Sequence, residues 1–353
     1  MLSEPTDFAM TPISTLSYVA DPRLSRRHSP FWSQWDDRMR ALTPRLTEFF
    51  GDAGASGDAG VTHTFASMGD VTIGARLLLP EGVVKPSAVV VMLHGYESAP
   101  LDDVNPWADA GIAALQLRVR GFPGSHFETG DLKRADRNDH GWFCHGLGDL
   151  QTWILPGAVA DVVCACKALI DRFGSGTPIM LYGESFGGGL AVLAASRLAG
   201  TGVVSRIAVG LPSMGAWRWR LAQSQSEQMN SAGGINAEVF DWINLHRDRE
   251  AEIVENLSVC DSAIHARRVR IPALFKLAER DDVVPAPAAA AVYNALGTDA
   301  GLKHREVVRH GHFDGGIADG RRHAQWARHA VAFLDPANAP AMLIHQACAL
   351  KQS

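Results

Sequence analysis

The residues most suited to chemistry form one short pentapeptide, Gly183-Glu184-Ser185-Phe186-Gly187. A serine that attacks a carbonyl must stand exposed on a tight strand-to-helix turn, and small neighbours keep that turn free of collisions. The context fits: Pro178 to Tyr182 reads as a buried strand, and Gly188 to Ser196 as a small-residue helix. A neutral hydroxyl is a poor nucleophile, so a base must take its proton and a carboxylate must orient that base. Downstream, the apolar run Ala273–Leu277 leads into Asp281-Asp282-Val283-Val284-Pro285. Either aspartate could be the orienting acid, with Asp281 favoured by the spacing to Val-Val-Pro. The next strand candidate, Arg305–Val308, leads into His310-Gly311-His312-Phe313. His312 is the expected base and His310 its competitor. An H-x-H pair can also bind metal, but no Cys or carboxylate cluster accompanies it, and no metal site is expected.

Acyl transfer also needs two N–H groups aimed at the developing oxyanion. One falls to Phe186, the residue after the nucleophile. The other falls to Tyr96, in the loop His94-Gly95-Tyr96 that follows the apolar run Ala88–Leu93. No cofactor is required, because nucleophile, base and oxyanion donors suffice. Phe122, Trp217 and Phe313 are candidate pocket-lining residues, whereas Arg120 reads as a structural ion-pair partner. Cys164 and Cys166 lie two apart on a predicted helix and read as core.

These residues need a scaffold that brings strand ends to one edge. Buried-strand candidates at Ala88–Leu93, Ala113–Val119, Ile179–Tyr182, Arg206–Leu211, Ala273–Leu277 and Arg305–Val308 alternate with helical stretches such as Ala158–Phe173 and Gly187–Leu198. That alternation predicts an α/β fold: a mostly parallel central sheet with helices on both faces. Apolar groups at Trp35, Met39, Leu42, Leu46, Phe49 and Phe50 predict a helix within residues 28–50. The expected organisation is an N-terminal helical extension (1–60), a main domain (61–335) and a C-terminal tail (336–353). The polar, helical stretch at about 214–268 reads as a capping insertion.

Composition narrows the partners. The 353 residues are 46% hydrophobic and 20% charged with a formal charge of −5, an ordinary globular balance. Neither nucleic acid nor a membrane is expected as partner. Five scattered cysteines and the lack of a secretory pattern at Met1-Leu2-Ser3 favour a cytoplasmic setting.

Taken in order, these motifs resemble the acetyl xylan esterase/cephalosporin C deacetylase group, carbohydrate esterase family 7. The resemblance starts at the Ser29-Pro30-Phe31-Trp32 helix and takes in Leu93–Tyr96, Val119-Arg120-Gly121 and Gly146–Asp149 with Asp161. It continues through Gly183–Gly188, Asp281–Pro285 with Tyr293-Asn294, and Gly311–Gly316, ending at Val331–Leu334. It implies an α/β-hydrolase fold and a serine esterase with the triad Ser185, Asp281 and His312 and an oxyanion hole from Tyr96 and Phe186. It also implies a homo-oligomer that restricts access to small esters. Where the family carries R-G-Q, G-x-S-Q-G-G and G-H-E, this chain has Phe122, Phe186 and Phe313. Three polar positions near the nucleophile are thus aromatic, and the expected substrate is a small or moderately hydrophobic ester. Lactone, thioester or amide hydrolysis on the same triad, or a non-catalytic binding role, are the alternatives.

Overall fold

The computed structural model describes residues 15–21, 23–49, 60–96, 105–125, 141–223, 234–281, 283–312 and 316–338. Asp282 and Phe313 lie outside the described residues, as do the chain's first 14 and last 15 positions.

Among the described residues nine strands form one sheet in the order β1-β2-β3-β5-β4-β6-β7-β8-β9. From β5 to β9 every neighbour is parallel, whereas β1 (Thr47–Glu48), β2 (His63–Ser67) and β3 (Val71–Leu78) run antiparallel at one side. The strands β4 (Ala88–Leu93), β5 (Ile112–Leu117) and β6 (Ile179–Glu184) coincide closely with the apolar runs in the sequence. So do β7 (Val204–Gly210) and β8 (Ala273–Arg280), while β9 (Lys303–His310) contains the expected strand Arg305–Val308 but buries only Val308. Continuous apolar runs mark strands covered on both faces, and all six residues of β4 are buried.

Alternation divides those runs between two cores. Val89, Val91 and Leu93 face the larger cluster with Leu181, Phe186, Leu190 and Phe275. Ala88, Val90 and Met92 face a smaller one with Trp107, Trp326, Ala330 and Phe333. The first face is covered by α3 (Ile154–Phe173) and α4 (Phe186–Arg197). The second is covered by α10 (Gly316–Leu334), with Trp107 supplied by α2 (Asn105–Asp109). Cys164 and Cys166 are both fully buried in α3.

The N-terminal helix differs from the periodic pattern. α1 spans His28–Ala41, and its chain turns extended at Leu42 (ψ 143°). Pro44 explains the stop, since a proline disfavours helical backbone in the residue before it and has no N–H to donate. Beyond it, Thr47 and Glu48 pair with β2, so Leu46 and Phe49 do not continue the helix. Lys167 of α3 caps the end of α1 by donating to the carbonyls of Met39, Arg40 and Leu42.

Between β7 and β8 the described chain is helical: α5 (Trp217–Ala222), α6 (Ile235–Leu245), α7 (Glu250–Val259) and α8 (Ser262–Ala266). Asp261 joins two of these, accepting from the N–H groups of Ala216 and Trp217 at one helix start and of Ala263 at the next. α9 (Ala286–Ala295) then connects β8 to β9. No helix among the described residues is long and apolar enough to cross a membrane.

Candidate active site

Ser185 lies between β6 and α4 in a left-handed conformation (φ 53°, ψ −116°). Such backbone costs a non-glycine residue about 1–3 kcal/mol and persists only where its surroundings fix it. Those surroundings are hydrogen bonds: Ser185 N donates to Gly210 O at 2.8 Å, and Ser185 O accepts from Gly189 N and Ser213 N at 3.0 Å each. The neighbouring glycines answer to space. A Cβ on Gly187 would stand 2.2 Å from Leu93 O, and one on Gly183 2.5 Å from the carbonyl carbon of Gly187. The helix start is thus packed backbone to backbone against the ends of β4 and β6. Gly210 serves a side chain instead, because a Cβ there would collide with Glu184 at 2.7 Å. The Glu184 carboxylate passes over this gap in β7 to the ammonium of buried Lys276 on β8.

Asp281 directly follows β8. Its Oδ1 accepts from Val283 N (2.9 Å) and Val284 N (2.7 Å) and pairs with His312 Nδ1 at 2.7 Å. With the carboxylate ionised, Nδ1 carries the imidazole proton and Nε2 is left as the basic nitrogen. The aspartate side chain is 1% exposed and the histidine 13%, so solvent barely reaches the bond between them. Gly311 makes this approach feasible: a Cβ there would stand 2.1 Å from Asp281 Oδ2. His310 instead belongs to β9, in register with Arg280. Since β6, β7, β8 and β9 are consecutive and parallel, Ser185, Asp281 and His312 all emerge at one edge of the sheet.

Next to Ser185 in the chain, Phe186 belongs to an aromatic wall that includes residues of the turn after β4. Phe186 packs against Trp142 (ring centroids 5.1 Å apart), Tyr96 (5.5 Å), Phe122 (6.0 Å) and His94 (6.0 Å). Phe122 in turn lies 4.3 Å from His94 and 5.2 Å from Trp142. Phe122 and Phe186 are buried within this cluster, while Tyr96 and Trp142 keep partial exposure. Trp217 is fully buried against Phe143 (5.6 Å) and beneath the Arg220 guanidinium. Its ring is therefore core and does not line an open surface.

His94 closes the turn after β4. Its Nδ1 contacts Gly95 O at 2.8 Å, and its Nε2 accepts from Val119 N at 3.4 Å. Burial pushes its pKa down to about 4, which keeps the ring neutral. On the other side of Gly95, the Tyr96 hydroxyl donates to Glu238 Oε2 and accepts from Phe143 N. Burial, reinforced by the Glu238 charge, raises the phenol pKa and keeps it a donor. Arg120 is held away from this space, paired with buried Asp161 (Nη2 to Oδ1 2.7 Å) and bonded to Met68 O.

Sequence reasoning did not single out Glu238, Glu184 or Lys276. Glu238 lies 142 positions from Tyr96 in a segment rich in other charged residues, so no local spacing marks it. The one available signal is a pair of glycines, Gly141 and Gly210, whose missing side chains make room for the two glutamates. Among the described residues no three His, Cys, Asp or Glu side chains converge as metal ligands.

The family model described as acetyl xylan esterase (AXE1) matches residues 15–329, a span containing every site element above. Among solved structures, acetyl xylan esterase 1 from Thermoanaerobacterium sp. JW/SL YS485 is similar at 18% identity and a TM-score of 0.68, covering 91% of this chain and 99% of that one. An acetyl xylan esterase from Paenibacillus sp. R4 is similar at 20% identity, with the same TM-score of 0.68 and the same coverages of 91% and 99%. At such identities the likeness is one of fold, and the family match carries the activity class. The chain belongs to the acetyl xylan esterase family, as a serine-type carboxylic-ester hydrolase of α/β-hydrolase fold.

Proposed function

We propose that this esterase works through an acyl-enzyme on Ser185 and prefers a small or moderately hydrophobic ester. Ser185 Oγ attacks the ester carbonyl carbon while His312 Nε2 takes its proton and Asp281 stabilises the imidazolium. The backbone N–H groups of Tyr96 and Phe186 receive the oxyanion. The tetrahedral adduct collapses, the C–O bond to the alcohol breaks, and His312 returns the proton to the departing oxygen. Water, deprotonated by the same histidine, then attacks the acyl-serine and releases the acid.

The observation that carries this reading is the buried Asp281–His312 hydrogen bond at the same sheet edge as the left-handed Ser185. Support for a hydrophobic substrate comes from the partly exposed rings of Tyr96 and Trp142, packed on buried Phe122 and Phe186, where polar side chains would favour a hydroxyl-rich sugar. The test is hydrolysis of p-nitrophenyl esters of increasing acyl length by the wild type and by Ser185→Ala. We expect turnover with short to medium chains and a drop of about 10³-fold or more in the variant. Equal activity in both proteins would remove Ser185 from the mechanism, and a sharp preference for acetyl sugars over alkyl esters would overturn the hydrophobic reading.

A further inference from the structure

Glu238 has no part in the proton transfers above, yet it reaches the loop that carries one of the two oxyanion donors. The Tyr96 hydroxyl donates to Glu238 Oε2 at 2.5 Å, and Phe143 N lies 2.7 Å from the hydroxyl and 3.2 Å from the same carboxylate oxygen. Three separated segments therefore meet at one point: the turn after β4, the Gly141–Cys144 stretch and helix α6. Space is reserved for this meeting, since a Cβ on Gly141 would stand 2.0 Å from the Glu238 carboxyl carbon.

The backbone around Tyr96 needs such an anchor. Among the described residues nothing comes within 4 Å of where a Cβ on Gly95 would stand, so side-chain packing at that residue does not help to hold the turn. The hold comes from the flanks. On one side His94 is tied to Gly95 O and Val119 N. On the other, the phenol is tied to Glu238, and its ring lies against Phe186, the residue bearing the second donor.

We infer that Glu238 is a positioning residue for ester hydrolysis, holding the Tyr96 phenol so that the Tyr96 backbone N–H stays aimed at the developing oxyanion. The inference rests on the reading of Tyr96 as an oxyanion donor. It makes helix α6 part of the catalytic apparatus, because displacing that helix withdraws the carboxylate and frees the loop. A purely structural carboxylate would affect stability. A positioning one affects the transition state more than substrate binding.

The experiment compares Glu238→Ala, Glu238→Gln, Tyr96→Phe and the Tyr96→Phe/Glu238→Ala pair on p-nitrophenyl acetate, with thermal unfolding followed in parallel. An alkyl boronic acid, which forms a tetrahedral serine adduct, serves as the transition-state probe. Losing an oxyanion donor outright costs 10²–10³-fold, so a loosened one should cost roughly ten-fold in kcat with KM within about two-fold. Glu238→Ala and Tyr96→Phe should each show this loss, boronate affinity should fall in parallel, and Glu238→Gln should recover most of it. The double variant should be no worse than either single one, because both break the same bond. The inference is overturned if kcat per folded enzyme is unchanged in Glu238→Ala, if only KM rises, or if the two losses multiply. Should Glu238→Ala fail to fold, Tyr96→Phe decides alone: it keeps the ring and removes the bond, and unchanged kcat would sink the idea. Failure of the acyl-enzyme reading looks different, because Ser185→Ala would then retain activity and the boronate would not bind the wild type; with that reading intact, unchanged boronate affinity in Glu238→Ala and Tyr96→Phe overturns the role of Tyr96.

Discussion

The two sides of the site are held by different forces. On the proposed nucleophile side, Ser185 is fixed by backbone hydrogen bonds to Gly210, Gly189 and Ser213, and by glycines that let α4 press directly onto the ends of β4 and β6. On the proposed oxyanion side, Tyr96 is held by side chains from distant segments: Glu238, Phe122, Trp142 and Phe186. The first arrangement is local and steric, and it tolerates no added atom. The second is assembled by burial and polar pairing, and it can be weakened by degrees. One region should fail completely when altered, while the other should lose rate or stability in graded steps.

The sharpest way to break the contrast is Gly187→Val. Added atoms would sit against Leu93 O and His94 O, backbone groups of a fully buried strand end and its turn. We expect a loss exceeding about 4 kcal/mol and no folded enzyme, read by circular dichroism and solubility. Near-normal folding would show that α4 can move away from β4 and that the elbow is as adjustable as the wall.

Next in size is Asp281→Asn, which keeps the shape but removes the charge facing His312 Nδ1. A drop in kcat of about 10³–10⁴-fold with little change in melting temperature is expected, since an amide can present N–H to the imidazole and so favour the wrong tautomer. A loss below ten-fold would mean that the histidine is oriented by something else.

Phe122→Ala tests the wall. Removing a buried ring in contact with His94, Trp142 and Phe186 should cost roughly 3 kcal/mol in a denaturant titration, with the enzyme still folded. A cost below ~1 kcal/mol would show that the cluster is loosely packed.

The smallest effect belongs to His28 on α1. Its ring is buried against His265 (5.0 Å) and Arg197 is nearby; neither of its nitrogens meets a partner among the described residues. Burial first, then the Arg197 and Arg268 charges, lower its pKa to about 4. The unfolded chain therefore binds a proton near pH 6.5 that the folded protein refuses until about pH 4. Stability falls as pH drops through that window, by on the order of 1–3 kcal/mol for this one group. His28→Leu should be close to neutral at pH 7.5 and flatten the acid side of a stability–pH profile, whereas an unchanged slope would assign the acid sensitivity to His94 and His265.

Legibility in the sequence followed the range of the interactions. The central strands, β4 above all, were readable because a strand covered on both faces needs an apolar run, as in Ala88–Leu93, whereas β9 at the sheet's edge buries only Val308. The elbow was readable because its steric demand falls on adjacent residues, and Gly183, Ser185 and Gly187 answer it within five positions. The short antiparallel side was harder. β2 buries only His63, Phe65 and Ser67 in alternation, a polar-looking pattern that does not announce a strand, and Pro44 cut the N-terminal helix short of its apolar periodicity.

By itself, then, the sequence determined the α/β layering, the turn at Ser185 and the order in which serine, aspartate and histidine appear, because each is set by short-range sterics or by hydrophobic period. Tertiary structure alone decided that Asp281 and His312 share a buried hydrogen bond and that Phe122 joins Phe186 in one cluster. It also decided that Glu184 reaches Lys276 across Gly210 and that Glu238 anchors Tyr96. Those pairings join residues from 31 to 142 positions apart. A carboxylate chooses its partner by what burial brings within about 3 Å, and only the folded chain fixes that distance.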